Sequence, residues 1–279
     1  MKEKKNLLVS FSGGETSAYM AHYLWNNFQR EYNMVFVFAN TGDEEEETYK
    51  FIYRFEQSFN IKIHWIEAKV NEQGVSSSYI EKDYYNASRN REPFENVIAK
   101  YGIPNQNFPH CNREMKLNPI HSFCKDYFNG EEYYTAIGIR YDEIDRISKH
   151  RKKNKIIYPF IQFTQMTKAH ISAWWDNQEF RLNLKSYQTN CRTCWKKSYA
   201  VLAQIYKENP SYFEFNKRME EMYGEGKYVF FRRGLSTIDL IELIKNINSP
   251  VMDKHKVINY QLSMFETESC DIYTNCSDN

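Results

Sequence analysis

Long apolar runs are missing from this chain. None approaches the roughly 18 residues that a membrane-spanning helix needs, so no helical anchor is expected. Charge of one sign is missing too: 37 Lys and Arg stand against 36 Asp and Glu, a net of +1. No global field therefore points to nucleic acid or an anionic surface. The start, Met1-Lys-Glu-Lys-Lys5, leads into a strand pattern with no apolar secretory segment. These absences predict a soluble, cytoplasmic protein with no membrane partner. Glycine is scarce, with 10 in 279 residues, which adds weight to any place where two adjoin. No internal repeat and no low-complexity tract occurs.

What is present begins with aromatics, 22 Tyr and 19 Phe. They could stack nucleobases, but Lys, Asn and Ile are raised as well, and AT-rich coding is the plainer account. Six cysteines in a chain without secretory signals point to metal binding or redox chemistry rather than a disulfide frame.

The informative stretch is Asn6-Leu-Leu-Val-Ser-Phe-Ser-Gly-Gly-Glu-Thr-Ser-Ala18. Leu7 to Val9 reads as a buried strand, and helical periodicity begins at Ala18. Between them Ser10, Phe11, Ser12, Gly13, Gly14, Thr16 and Ser17 form a small-residue turn. Strand, tight turn and helix start make a phosphate cradle: glycines admit the anion, first-turn N–H groups point at it, and the helix dipole adds partial positive charge. No Gly-Lys-Ser/Thr ending follows, so this is not a Walker loop. The plain alternative is a turn whose Ser or Thr caps a helix.

Ser12-Gly13-Gly14-x-x-Ser17 resembles the pyrophosphate-binding (PP) loop of the adenine nucleotide α-hydrolase-like enzymes. That group includes N-type ATP pyrophosphatases, tRNA sulfurtransferases and phosphoadenylyl-sulfate (PAPS) reductases. Thr16 stands where many ATP pyrophosphatases carry Asp. Downstream, strand patterns at 34–39 and 61–66 alternate with helical patterns, which predicts a parallel sheet with ligands at the carboxyl ends of its strands. The acidic run Glu44–Glu47 reads by itself as a solvated helix start. In the resemblance, Asn40-Thr41-Gly42 with Glu47-Thr48 matches a second nucleotide-contacting segment, which puts Asn40 and Thr41 near the adenosine. Residues 71–101 are polar and read as an insertion or mobile loop beside the site, with Arg89 and Arg91 read as solvated and substrate contact as the alternative.

Pro109-His-Cys-Asn-Arg-Glu-Met-Lys-Leu-Asn-Pro119 resembles the Cys-Thr-x-x-Leu-Lys-x-x-Pro segment of the reductase-like branch, with Cys111 and Lys116 on the matching positions. A strand over 133–139 ends in Gly138-Ile-Arg-Tyr-Asp-Glu-Ile-Asp-Arg146. That resembles the branch's Gly-x-Arg-x-x-Glu-Ser-x-x-Arg signature, with Ile144 replacing Ser. Arg140 and Arg146 could clamp an oxyanion and Lys116 could hold a phosphate or sulfate. Gly138 joins the nucleotide-binding set. The basic run 149–155 reads as an exposed loop, with nucleic-acid phosphates as the alternative, and residues 156–160 as a last strand. The fold implied is α/β, a Rossmann-like parallel sheet of the HUP type with a helical C-terminal lobe. The divisions expected are 1–165 for the nucleotide domain, 166–260 for the lobe with helices near 199–206, 212–223 and 237–247, and 261–279 for a flexible cysteine-bearing tail.

Cys191-Arg-Thr-Cys194 is a single Cys-x-x-Cys with no second pair, so a metal would need a ligand from afar, for which Cys111 is the natural choice. Three thiolates could hold an iron–sulfur cluster with one open iron, or zinc with a fourth ligand. A redox dithiol and an inert structural pair are the alternatives. Cys270 and Cys276 lie in the polar tail, where Cys270 could act as the attacking thiol of a PAPS reductase. Cys124 sits on an apolar helix face and reads as core.

Two enzymatic readings and one other follow. ATP with Mg²⁺ could adenylate a substrate and release pyrophosphate, with sulfur transfer to a tRNA, DNA or small-molecule acceptor and a sulfur donor as partner. Alternatively, a thiol could reduce PAPS or adenylyl sulfate, with a thioredoxin-like reductant. The third reading is a non-catalytic nucleotide-binding subunit of a modification or defence system. A homo-oligomer is expected.

Overall fold

The structure, a computed structural model, describes residues 3–226, 229–232 and 234–247. Six strands form one sheet, β1 (Lys5–Ser10), β2 (Tyr32–Asn40), β3 (Ile63–Lys69), β4 (Ser78–Lys82), β5 (Tyr133–Ala136) and β6 (Ile156–Ile157), in the order β4-β3-β2-β1-β5-β6. All neighbours run parallel except β4, which is antiparallel to β3. The first ten helices are α1 (Glu15–Phe28), α2 (Glu46–Phe59), α3 (Glu92–Tyr101), α4 (His110–Asn112), α5 (Asn118–Tyr127), α6 (Pro159–Gln162), α7 (Lys168–Asp176), α8 (Tyr199–Glu208), α9 (Tyr212–Tyr223) and α10 (Thr237–Lys245). A π-helical turn, Arg113–Leu117, joins α4 to α5. The α/β, Rossmann-like class read from the sequence is the architecture observed.

Alternation along the central strands splits the core. Leu7 and Val9 of β1, with Phe36, Phe38, Ile63 and Trp65, face α1, α2 and α7, where Phe55, Ile171 and Trp175 are buried. Leu8, Val35, Val37 and Ile66 face the other way, onto Ile120, Phe123 and Cys124 of α5. Both faces are covered, which is why these strands read as continuous apolar runs. The chain goes from β1 to β2 on one side, and β5 later takes the other side. The sheet therefore reverses between β1 and β5, the position at which such folds open a ligand crevice beyond the strand ends.

Three expectations are corrected. Residues 71–101 are not a mobile insertion: they supply the edge strand β4 and helix α3. Their polarity reflects an edge position, where Ile80 and Glu81 are exposed. The last strand is β6 alone, because Pro159 starts α6 and cannot donate to the ladder. Arg91 is buried rather than solvated, and Arg89 is half-buried, paired with Glu46 at 2.9 Å. The basic run 149–155 forms an exposed turn, as read.

Beyond α7, helices α8, α9 and α10 close over Leu202, Ile205, Phe213, Ile241 and Ile244. A further cluster joins this lobe to the sheet domain, with Phe94, Met115, Trp195, Phe215 and Met219 buried together and Cys111 packed against it.

Candidate functional site

The loop after β1 is built from small side chains that bond one another. Ser12 donates through both its N–H (3.1 Å) and its hydroxyl (3.0 Å) to Ser17 Oγ, and Ser17 donates to the Gly14 carbonyl at 2.9 Å. The first helical bond runs from the Ala18 N–H to the Gly14 carbonyl at 3.0 Å. The N–H groups of Glu15, Thr16 and Ser17 thus have no intrahelical acceptor, and the positive end of the helix dipole lies with them. Glu15 itself is drawn aside by Arg181, with two bonds at 3.0 and 3.1 Å.

The two glycines do different work. Gly13 has φ of +81°, and a Cβ there would meet Thr48 Cγ2 at 2.6 Å. Gly14 has φ of −99°, and the nearest atom to a Cβ is Ser12 Oγ at 3.8 Å. Gly13 permits the turn; Gly14 leaves room above it. Across the crevice, Gly138 follows β5, and a Cβ there would lie 3.4 Å from Thr16 Cγ2 and 3.6 Å from Ser17 Cα. The absence of a side chain at 138 lets the β5 strand end close on the loop at the β1/β5 reversal. Phe11 is different from the rest of its segment: its ring is in the core, 5.2 Å from Phe55, and its N–H is taken by the Val37 carbonyl. Ser10, the last residue of β1, is paired with Val37 of β2.

The end of β2 forms a second wall of buried polar groups. Asn40 donates to Glu67 at 2.7 Å and to the Ser88 carbonyl at 2.9 Å, while its oxygen accepts from the Gly42 N–H and the Tyr49 hydroxyl. Its side chain thus acts as a brace for this wall. Thr41 donates its hydroxyl to Glu44 at 2.8 Å, and its N–H to the same carboxylate at 3.2 Å. Burial pushes the Glu44 carboxyl above its ordinary range, opposed by the Lys116 ammonium. Lys116 is carried on the π-helical turn. Sequence reasoning read Glu44 as solvated, yet it and Asp43 are buried; their place at a strand end, ahead of the half-buried Glu46 and Glu47, was the available signal.

The cysteine pair reaches this wall through Cys191, whose Sγ is 3.9 Å from Thr41 Oγ1. Arg192 ties the segment down, with its N–H on the Asp43 carbonyl at 3.2 Å and Nη2 on the Glu44 carbonyl at 2.7 Å. Buried Lys197 donates to the Tyr187 carbonyl at 2.7 Å. Burial pulls its ammonium below the ordinary lysine range, opposed by the nearby cysteines. Asp43, Glu44, Arg192 and Lys197 are the residues that sequence reasoning missed.

Arg140 and Arg146 converge on a single acid: Glu143 accepts from Arg140 at 3.0 Å and from Arg146 at 2.8 Å, with Asp142 also on Arg140 at 3.1 Å. The two arginines are thus braced by internal carboxylates rather than presented as an open clamp. Among the described residues no three His, Cys, Asp or Glu side chains gather closely enough to hold a metal ion. As placed, Cys111, Cys191 and Cys194 do not fit a cluster or zinc. Cys270 and Cys276 lie outside the described residues. No helix among those described is long and apolar enough to cross a membrane.

Comparison with known proteins agrees with this geometry. The phosphoadenosine phosphosulfate reductase domain family matches residues 6–179. An uncharacterized nin region protein of Escherichia phage lambda is 33% identical over 195 residues, covering 68% of this chain. The match spans 66% of that protein, just under two thirds of its length. Two solved structures are also similar. A PAPS reductase from Candida auris, in a phosphate complex, gives a TM-score of 0.40 at 14% identity, over 64% of this chain and 75% of that one. A U34-tRNA thiolase from Methanococcus maripaludis gives 0.42 at 15%, over 99% and 82%. At those scores neither structure bears on function. The family match carries the conclusion: together with the loop at the sheet reversal, it places this chain in the phosphoadenosine phosphosulfate reductase domain family.

Proposed function

We propose that this chain binds ATP at the Ser12–Ser17 loop and activates an acceptor by adenylation, for sulfur transfer through Cys191. The carrying observation is the loop itself: Gly13 in a conformation that only glycine adopts freely, open space over Gly14, and first-turn amides facing the β1/β5 crevice. The pyrophosphate end of the nucleotide lies on those amides, and Mg²⁺ arriving with the nucleotide would neutralise part of its charge. An acceptor oxygen attacks the α-phosphorus, its bond to phosphorus forms, and the bond to the bridging oxygen breaks as pyrophosphate leaves. Fixed N–H donors stabilise the charge that develops. The Cys191 thiolate attacks the outer, sulfane sulfur of a persulfide donor, whose S–S bond breaks and which leaves as a thiol, so that Cys191 carries the persulfide. Its terminal sulfur displaces AMP from the acceptor carbon, and the Cys194 thiol then releases the thiolated product. The resulting Cys191–Cys194 disulfide requires a dithiol reductant for the next turn.

A second reading is favoured by the family match: thiol-dependent reduction of an adenylyl sulfate, releasing sulfite. One experiment separates the two. Calorimetry with ATP and with adenylyl sulfates, beside assays of pyrophosphate and sulfite release, supports the first if ATP binds and pyrophosphate appears. Sulfite release supports the second. Uptake of neither nucleotide overturns both.

A further inference from the structure

Where the lobe meets the sheet domain, a cavity of about 450 Å³ opens beside the Cys191 segment, lined by Arg89, Arg91, Arg192, Arg218, Tyr212 and Phe215. Its walls stack guanidinium planes against rings in a ladder. Arg192 lies 5.0 Å from the Tyr212 ring and Arg91 5.9 Å from the same ring. Arg91 lies 4.9 Å from the Phe215 ring and Arg218 5.7 Å from it. Each arginine also has a carboxylate: Arg89 has Glu46, Arg91 has Asp43, Arg192 has Glu45 and Arg218 has Glu95. Glu214 is an acid of the lining, held by Lys217 at 2.8 Å.

Those pairings are consistent with simple cement between lobe and sheet, but they leave one donor over. Arg91 Nη2 is buried with no hydrogen-bond partner, and the Arg91 side chain is only 6% exposed, whereas Arg192 Nε faces the Glu45 carboxylate at 3.6 Å. A buried donor left unpaired costs free energy that an entering acceptor recovers. One such donor, in a cavity lined by four guanidinium groups, calls for an anion. The interleaved planes call for an aromatic ring beside it, since guanidinium and tyrosine faces both stack bases. The volume falls in the range of small-ligand sites.

We infer that this cavity binds a nucleotide unit of the acceptor, with its phosphate on Arg91, Arg192 and Arg218 and its base stacked on the Tyr212–Phe215 ladder. The assignment of this unit to the acceptor rests on the adenylation reading, whereas its binding here does not. The site is distinct from the Ser12–Ser17 loop. Because the arginines are already neutralised, recognition comes from fixed donors and stacking rather than from a strong field, so salt weakens it only gently.

The test uses the full chain and a fluorescein-labelled single-stranded oligouridylate, read by anisotropy, with unlabelled UMP as competitor and ATP binding followed separately. The expected result is saturable binding that excess ATP leaves in place. Arg218→Ala and Tyr212→Leu each weaken it about tenfold or more, the scale of one lost stack. Arg218 is half exposed at 53%, so its variant keeps the fold, and thermal melting reports this for both. Displacement by UMP identifies a free nucleotide as the source, and displacement only by the longer strand identifies a nucleic acid. No binding of either probe, or binding that both variants leave unchanged, overturns the inference. Failure to take up ATP overturns the loop reading alone.

Discussion

Thr41 Oγ1 stands between the Cys191 thiol, 3.9 Å away, and the Glu44 carboxylate, 2.8 Å away. The contact joins the end of β2 to a cysteine 150 residues later in the chain. It thereby sets Cys191 at the carboxyl end of β2. Cys124 is the contrasting thiol: burial in the α5 core pushes it up to about 12. With iodoacetamide near pH 8, Cys191 and Cys194 are expected to alkylate in the native protein and Cys124 only after unfolding, as read by peptide mass spectrometry. Alkylation of native Cys124 at the rate of Cys191 would contradict the core assignment.

The two loop glycines should respond oppositely. Gly13→Ala puts a Cβ against Thr48 at a positive φ, so a loss of about 1–3 kcal/mol is expected in urea unfolding. Gly14→Asp has the space it needs and should leave stability nearly unchanged, while its carboxylate faces the anion site and abolishes ATP binding by calorimetry. Unchanged affinity in Gly14→Asp would remove the loop from the mechanism.

Arg91 and Asp43 form a buried ion pair, with Arg91 Nη1 also donating to the Tyr212 carbonyl at 2.7 Å. Asp43→Ala strands a buried guanidinium and is expected to cost about 3–5 kcal/mol. The double variant Asp43→Ala with Arg91→Met should recover much of that loss, because the unpaired charge is gone. Equal losses in the single and double variants would show that the pair's charge is not what matters there.

Glu114 supplies a pH dependence. Burial alone would raise its carboxyl, but bonds from Arg113 Nε at 2.8 Å and from the Ser77 N–H and hydroxyl at 3.2 and 3.0 Å hold it down at about 2. The folded protein thus binds this proton less readily than the unfolded chain. Its stabilisation is fully present above the ordinary carboxylate range and is lost as pH falls from about 4.5 toward 2. The contribution is on the order of 2–3 kcal/mol. Glu114→Gln should flatten the acid limb of a stability–pH curve measured by urea unfolding. An unchanged slope would contradict this assignment.

Much of the molecule was legible locally. Leu7–Val9 announced a strand buried on both faces, Gly13-Gly14 a turn, and the patterns near 199, 212 and 237 announced helices that the structure contains. Each of these rests on neighbours a few residues apart, which a linear reading can see. The misreadings had a common origin. Arg91, Asp43 and Glu44 look solvated in isolation and are buried only because each finds a compensating partner, for Arg91 as far away as Tyr212. Likewise, the polar stretch before α3 conceals an edge strand that exists only by pairing with β3.

The sequence alone determined the periodicity, the strand–turn–helix cradle and the order of the motifs, since these depend on short-range sterics and side-chain alternation. Only the tertiary structure decided which charges are buried, which cysteine meets the end of β2, and that Arg140 and Arg146 share one glutamate. Those outcomes depend on which distant groups fold together, because a buried charge is tolerated only where the whole chain has delivered its counterpart.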